Sequence, residues 1–137
     1  MSRNAARPLS PHLQIWKWGP HMLVSILHRV TGSALAVGGV LLLTWWLAAL
    51  ASGPAYYGLF IDLMTRNEGG LNWLPAVVLI GLTWSFFQHM FTGLRHLLLD
   101  TGAGYELKTN KFWSLMTIIG SVAVTCAIWA TILLVRA

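Results

Sequence analysis

Three long runs without a charged residue decide what this chain can fold into. They cover residues 30–50, 71–94 and 112–135, which is 21, 24 and 24 residues. A helix needs about 20 apolar residues to cross the roughly 30 Å hydrocarbon core of a bilayer. The runs do not alternate polar and apolar residues, which argues against the strands of a membrane barrel. The sequence therefore predicts an all-α integral membrane protein with three transmembrane helices.

We expect a single membrane domain, residues 1–137, whose three helices run up, down and up across the bilayer. The spans are predicted at about 22–51, 71–100 and 112–135, after an N-terminal segment, 1–20, that lies at the membrane interface. The links 51–70 and 101–111 contain glycine and polar residues and are predicted to be loops. No internal repeat and no low-complexity tract interrupts this plan.

The charge pattern favours a membrane over a nucleic acid as the partner. The net charge is +5, yet only 9% of the residues are charged, against roughly 25% in soluble domains. The basic residues stand in ones and twos between apolar runs and form no basic face. With the N-terminus inside, seven of them lie on the inner side and two on the outer side, as the positive-inside rule requires. The single Cys126 excludes a multi-cysteine metal site within this chain.

The N-terminal segment predicts the kind of membrane. Residues 1–20 show no apolar core followed by a small-residue cleavage site, so no signal peptide is predicted. They also do not form a convincing mitochondrial transit peptide. We therefore expect a bacterial inner membrane with a cytoplasmic N-terminus, and the mitochondrial inner membrane is the alternative.

Ionisable residues interrupt the inner ends of the first two spans. Ionisable side chains within a membrane are costly, so a cluster of them indicates a functional site. On a helix, His89, Gly93, His96 and Asp100 follow at steps of four, three and four and share one face. Antiparallel packing is predicted to bring together seven polar groups: Ser25, His28, Arg29, His89, Arg95, His96 and Asp100.

The chemistry of such a site has a functional and a structural interpretation. His89 lies about 9 Å deeper than Arg95, and an imidazole at that depth can bind haem iron. Arginine at the membrane edge can pair with haem propionates, and serine with arginine can bind a quinone carbonyl. Alternatively, Arg29 and Arg95 reach the interface as orientation signals, and the histidines make hydrogen bonds between helices.

The relative depth of two histidines predicts where a second haem ligand comes from. Two axial histidines of one haem face each other across the iron. If Arg29 and Arg95 mark the same membrane level, His28 lies at that level and His89 lies deeper. We therefore expect the two side chains not to match in depth, and the second axial ligand to come from another chain.

Three motifs carry a resemblance to a known family. They are residues 7–13 (RPLSPHL), 25–32 (SILHRVTG) and 89–100 (HxxxGxRHxxxD). With the three-span layout, the chain resembles the cytochrome b membrane-anchor subunit of succinate dehydrogenase, respiratory complex II. One departure is Trp16, where relatives often carry tyrosine. Both are interfacial aromatic residues.

The resemblance implies a role for each polar position. His89 would be an axial ligand to haem b, with the other histidine on a second membrane-anchor subunit. Ser25 and Arg29 would bind ubiquinone, and His28 with Arg29 would contact the haem propionates. Supporting positions near the haem or the quinone pocket would be Arg95, His96 and Asp100.

The resemblance also implies partners and a reaction. A flavoprotein subunit would oxidise succinate, and an iron–sulfur subunit would pass the electrons to quinone at the inner membrane face. This chain would anchor that assembly without a succinate site of its own. Alternatives are a standalone membrane cytochrome b and a haem-free structural subunit of another complex. Fumarate reductase, which runs the same chemistry in reverse, is not distinguished by the sequence.

Overall fold

The computed structural model describes residues 17–65 and 70–136. Its helices are α1 (Pro20–Ala34), α2 (Val40–Ala51), α3 (Pro54–Met64), α4 (Trp73–Asp100) and α5 (Leu107–Arg136). The motif at 7–13, Trp16 and Arg66 lie outside the described residues.

The first span is one continuous helix, Pro20–Ala51, in which a short π-helical segment, Leu35–Gly39, joins α1 to α2. Pro20 occupies the first turn of α1, where its missing N–H costs no hydrogen bond. In the π-helical segment the N–H of Val40 bonds to the carbonyl of Leu35, five residues back. Such a segment shifts the helix face by one residue, so α1 and α2 present differently oriented surfaces.

Three helices are long and apolar enough to cross a membrane: Pro20–Ala51, Trp73–Asp100 and Leu107–Val135. The predicted all-α membrane fold with three spans is thereby confirmed. Helices α1, α4 and α5 all pack against one another. Gly93 of α4 faces the ring of His28, and Gly32 of α1 faces the ring of His89. Residue numbers therefore rise along α1 as they fall along α4. This pairing is antiparallel and sets His89 opposite Gly32, one helical turn from His28.

The prediction that residues 51–70 form a loop is wrong over α3. Gly53 adopts a positive φ of 93°, which turns the chain, and Pro54 then begins the helix. The ring of Phe60 meets Trp45 of α2 edge-on, with 4.8 Å between ring centroids. Aromatic packing against α2 therefore stabilises α3. The glycine and proline residues that flank this helix led to the prediction of a loop.

The link between α4 and α5 is a tight turn, and α5 begins at Leu107 rather than near residue 112. Gly102 and Gly104 both have positive φ, 86° and 80°, which a side chain would make strained. The short turn places the first residues of α5 beside the last turns of α4.

The interior of the bundle is polar and its surface is apolar. Among the described residues, the buried apolar ones are Val24 and Ala49, and the buried polar ones are Thr31, Ser85, Gln88, Thr92, Ser114, Thr117, Ser121 and Thr125. Lipid tails are as apolar as leucine, so helices in a bilayer associate through small residues and hydrogen bonds. The packing therefore suits lipid around the bundle and places polar chemistry inside it.

Candidate functional site

The centre of the site is a stacked pair of imidazole rings. The rings of His28 on α1 and His89 on α4 lie nearly parallel, at 8°, with centroids 4.0 Å apart. The ring of His96, two turns further along α4, approaches His28 edge-on with a centroid distance of 5.2 Å. The predicted convergence of these three histidines is therefore seen in the structure.

Two hydrogen bonds run in opposite directions across this helix pair. Nδ1 of His89 lies 3.0 Å from the carbonyl oxygen of His28, and Nδ1 of His28 lies 2.9 Å from Oγ1 of Thr92. A carbonyl can only accept, so we assign the proton of His89 to Nδ1. The hydroxyl of Thr92 donates to the carbonyl of Gln88, which leaves its oxygen to accept from Nδ1–H of His28.

Two glycines make the close approach of α1 and α4 possible. A Cβ at Gly32 would lie 2.8 Å from Cε1 of His89 and 3.2 Å from its Nδ1. A Cβ at Gly93 would lie 3.9 Å from Cε1 of His28, which is an ordinary contact. Gly32 is therefore required by the position of the His89 ring, whereas Gly93 leaves some room.

The histidine cluster is not a metal cage by itself. Within residues 17–65 and 70–136, no group of three histidine, cysteine, aspartate or glutamate side chains is placed to hold a metal ion. His28 and His89 stack face to face, so their ring nitrogens do not converge on one point between the rings. An iron bound here would take one imidazole from the pair and find its other ligands elsewhere.

The other polar residues on these faces lie around the cluster. Ser25 is half-buried, one turn before His28, and Arg29 is exposed beside it on α1. Asp100 is the last residue of α4 and is exposed, one turn beyond His96. These three residues lie at the end of the bundle where α1 begins and α4 ends.

The prediction that Arg95 joins this convergence is wrong. Its guanidinium Nη2 donates to Oδ1 of Asn110 on α5. Arg95 also lines a groove of about 320 Å³ with Leu94, Leu98 and Trp113, between α4 and α5. At 100° per residue, Arg95 and His96 point to different sides of α4, so an arginine next to His96 in sequence turns away from it.

The backbone positions of His28 and His89 differ by one helical turn, since His89 lies opposite Gly32, yet their side chains reach each other and the rings stack. The predicted depth mismatch assumed that Arg29 and Arg95 mark the same depth. Arg29 is instead an exposed residue of α1, and Arg95 reaches across to α5. Helix packing, rather than the position of the arginines, sets the register of α1 against α4.

Sequence reasoning missed the neutral polar residues that connect the helices. Thr92 follows His89 by three residues and precedes His96 by four. This spacing predicts that Thr92 shares their helix face. Gln88 is fully buried and its Oε1 accepts a 2.7 Å hydrogen bond from Ser121 on α5. Asn110 gave no such signal, because it lies in a stretch predicted as loop.

Three apolar helices around a polar interior, with imidazoles clustered at the basic end, define a polytopic membrane subunit. The family described as the succinate dehydrogenase/fumarate reductase transmembrane subunit matches residues 3–128, and the chain belongs to this family. It is a membrane-anchor subunit of the complex II type.

Curated relatives agree with this assignment. The succinate dehydrogenase cytochrome b556 subunit of Paracoccus denitrificans is 40% identical over 116 residues, which is 85% of this chain and 84% of the relative. The subunit of the same name from Rickettsia felis is 34% identical over 90% of each chain. The human mitochondrial cytochrome b560 subunit is 34% identical over 74% of this chain and 57% of its own length. The resemblance seen in the motifs is thus confirmed.

Proposed function

We propose that this subunit binds a b-type haem through Nε2 of His89 and forms part of the quinone-reduction site of a succinate:quinone oxidoreductase. The observation that carries the proposal is the hydrogen bond from Nδ1–H of His89 to the carbonyl of His28. It leaves Nε2 unprotonated, and this is the form of imidazole that binds a metal.

The residues fit a haem in two further respects. A metal-binding histidine almost always donates its other ring N–H to a carbonyl or carboxylate, which fixes the ring and raises its basicity. Within the described part of the chain, no hydrogen bond occupies Nε2 of His89. The haem, when bound, supplies a one-electron redox centre, whereas the protein holds and orients it. Relatives named as cytochrome b556 subunits support this assignment.

The second axial ligand is proposed to come from another membrane-anchor subunit. His28 is the nearest imidazole, but its ring lies parallel to that of His89 and only 4.0 Å away. Two axial ligands must approach the iron from opposite sides, which parallel rings at this distance do not allow. His28 is better suited to a haem propionate contact, together with Arg29, and His96 supports the ring of His28 from its edge.

Ser25 and Arg29 are proposed to bind the quinone. A serine O–H and a guanidinium N–H can both donate to a quinone carbonyl oxygen and stabilise the negative charge that develops as electrons arrive. Ser25 is half-buried and Arg29 is exposed, and they lie one turn apart on the helix that carries His28. Asp100 is proposed as a neighbour of this pocket, and partner subunits would complete it.

The proposed site lies at the cytoplasmic face of a bacterial inner membrane. The end of the bundle that holds the histidines also holds five of the six basic residues within 17–65 and 70–136, namely Lys17, Arg29, Arg95, Lys108 and Lys111. The positive-inside rule assigns this end to the cytoplasm. A flavoprotein that oxidises succinate and an iron–sulfur subunit would dock there and deliver electrons to the quinone.

Purification of the complex from its native membrane tests the proposal. A reduced-minus-oxidised spectrum reports a b-type haem, and mass analysis identifies the chains that purify with it. Haem together with a flavoprotein, an iron–sulfur protein and a second small anchor is the expected result. Haem without these partners would indicate a standalone cytochrome. The absence of both would contradict the proposal.

A further inference from the structure

Thr92 makes a hydrogen bond to a neighbouring helix in addition to the one within its own helix. It is fully buried on α4, three residues after His89. Its hydroxyl donates to the carbonyl of Gln88 in the preceding turn, as buried threonines in membrane helices commonly do. Its oxygen also accepts the Nδ1–H of His28 at 2.9 Å, which connects α4 to α1.

This hydrogen bond fixes the imidazole that covers His89. The acceptor holds the ring plane of His28, and that plane lies within 8° of the plane of His89. The Cε1 and Nδ1 atoms of His89 lie against Gly32, where even a Cβ would be too close. The ring of His89 is therefore confined by Gly32 and by His28, and the side chain of His28 is held in turn by its hydrogen bond to Thr92.

We propose that Thr92 is a positioning residue for the haem ligand, acting through the ring of His28. This inference depends on the proposed function, because it takes His89 as the ligand. Orientation of metal-binding histidines by outer partners typically changes metal affinity or activity about 10- to 100-fold. Loss of the Thr92 acceptor frees the His28 ring to rotate, and the confinement of His89 on that side is lost.

Comparison with a second buried threonine separates positioning from helix packing. Thr125 on α5 is also buried, and within residues 17–65 and 70–136 its hydroxyl donates only to the carbonyl of Ser121 in its own helix. The substitution Thr125→Val therefore removes a hydroxyl of the same kind at a site without an imidazole. Thr92→Val removes the acceptor with little change in volume, whereas Thr92→Ser keeps it.

The experiment uses the assembled complex purified with each variant. The low-spin haem signal in electron paramagnetic resonance reports the orientation of the axial imidazole, and a redox titration reports the midpoint potential. We expect Thr92→Val to shift the resonance and the midpoint potential, or to release haem at least tenfold faster. Thr92→Ser and Thr125→Val are expected to match the wild type in all three measurements.

Two results would overturn the inference. One is a Thr92→Val complex indistinguishable from Thr125→Val. The other is an equal change in Thr92→Val and Thr92→Ser, since it would show that packing, not the hydroxyl, matters. The parallel variant His89→Ala separates this inference from the proposed function. If that variant keeps a normal haem spectrum, the assignment of His89 itself fails.

Discussion

The carbonyl oxygen of His28 accepts a hydrogen bond from Nδ1–H of His89, and the ring of the same His28 stacks on the ring of His89. One residue of α1 thus contacts the proposed ligand through both its backbone and its side chain. The backbone contact sets the protonation of the imidazole, and the side chain restrains its plane. The chemistry of the site therefore depends on the exact register of α1 against α4.

The glycine at position 32 is the first place to test this register. A Cβ there would lie 2.8 Å from Cε1 of His89, so Gly32→Ala must displace the ring or the helix. Overpacking of this kind costs about 1–3 kcal/mol. We expect lower haem occupancy and a less stable complex, measured by haem-to-protein ratio and thermal unfolding.

The matched control for Gly32 is Gly81 on α4, where a Cβ would meet no atom within 4 Å. Gly81→Ala is expected to keep full haem occupancy. If both alanine variants retained the haem equally, α1 would not be held against His89 as closely as described.

Arg29 provides a test of the quinone site. Arg29→Ala removes an exposed cation of α1 that the proposed function assigns to quinone binding, and the proposal assigns succinate oxidation to a partner subunit. We expect succinate-to-quinone activity to fall by at least about tenfold, on the scale of losing an electrostatic stabiliser. Succinate oxidation with an artificial acceptor should remain near the wild-type rate.

Lys108 is the comparison residue for Arg29, because it is an exposed basic residue of α5 at the same end of the bundle. Lys108→Ala should leave both rates unchanged. A proportional loss of both activities in Arg29→Ala would mean that the variant disturbs assembly rather than quinone binding.

The contact between Arg95 and Asn110 predicts a structural role for this arginine. Hydrogen bonds between membrane helices contribute about 0.6 kcal/mol on average and up to about 1.7 kcal/mol. In a double-mutant cycle with Arg95→Gln and Asn110→Ala, we expect a coupling energy on the order of 1 kcal/mol in the unfolding free energy. Additive effects of the two substitutions would show that the contact does not stabilise the fold.

The Arg95→Gln variant of this cycle also tests whether Arg95 influences the proposed haem. Because Arg95 points toward α5 and not toward His96, its substitution should leave the haem spectrum and midpoint potential in place. A large shift in the potential of Arg95→Gln alone would place its charge near the haem.

The spans could be predicted because the bilayer constrains composition over long stretches. A run of more than 20 uncharged residues has few alternatives to a transmembrane helix. Helix α3 could not be predicted in this way, since it depends on a tertiary contact between Trp45 and Phe60 and is bordered by turn residues. Local composition there indicates a loop, whereas packing favours a helix.

The convergence of the histidines could be predicted because a helix face decides it, whereas the direction of Arg95 could not, because its long side chain decides it. His89 and His96 share a face by spacing alone, and antiparallel packing brings His28 to them. Arg95 is a long side chain that reaches a partner on α5, so its neighbours in sequence do not reveal its neighbours in space. Thr92 was overlooked because uncharged hydroxyl residues are common in membrane helices.

The most direct test of the central proposal is the haem spectrum of the complex that carries His89→Ala. The proposed ligation predicts that the b-type signal is lost or strongly altered while the three spans still insert and the subunit is still detected in the membrane. A b-type spectrum identical to that of the wild type, in an equally assembled complex, would contradict the assignment of His89 as the haem ligand.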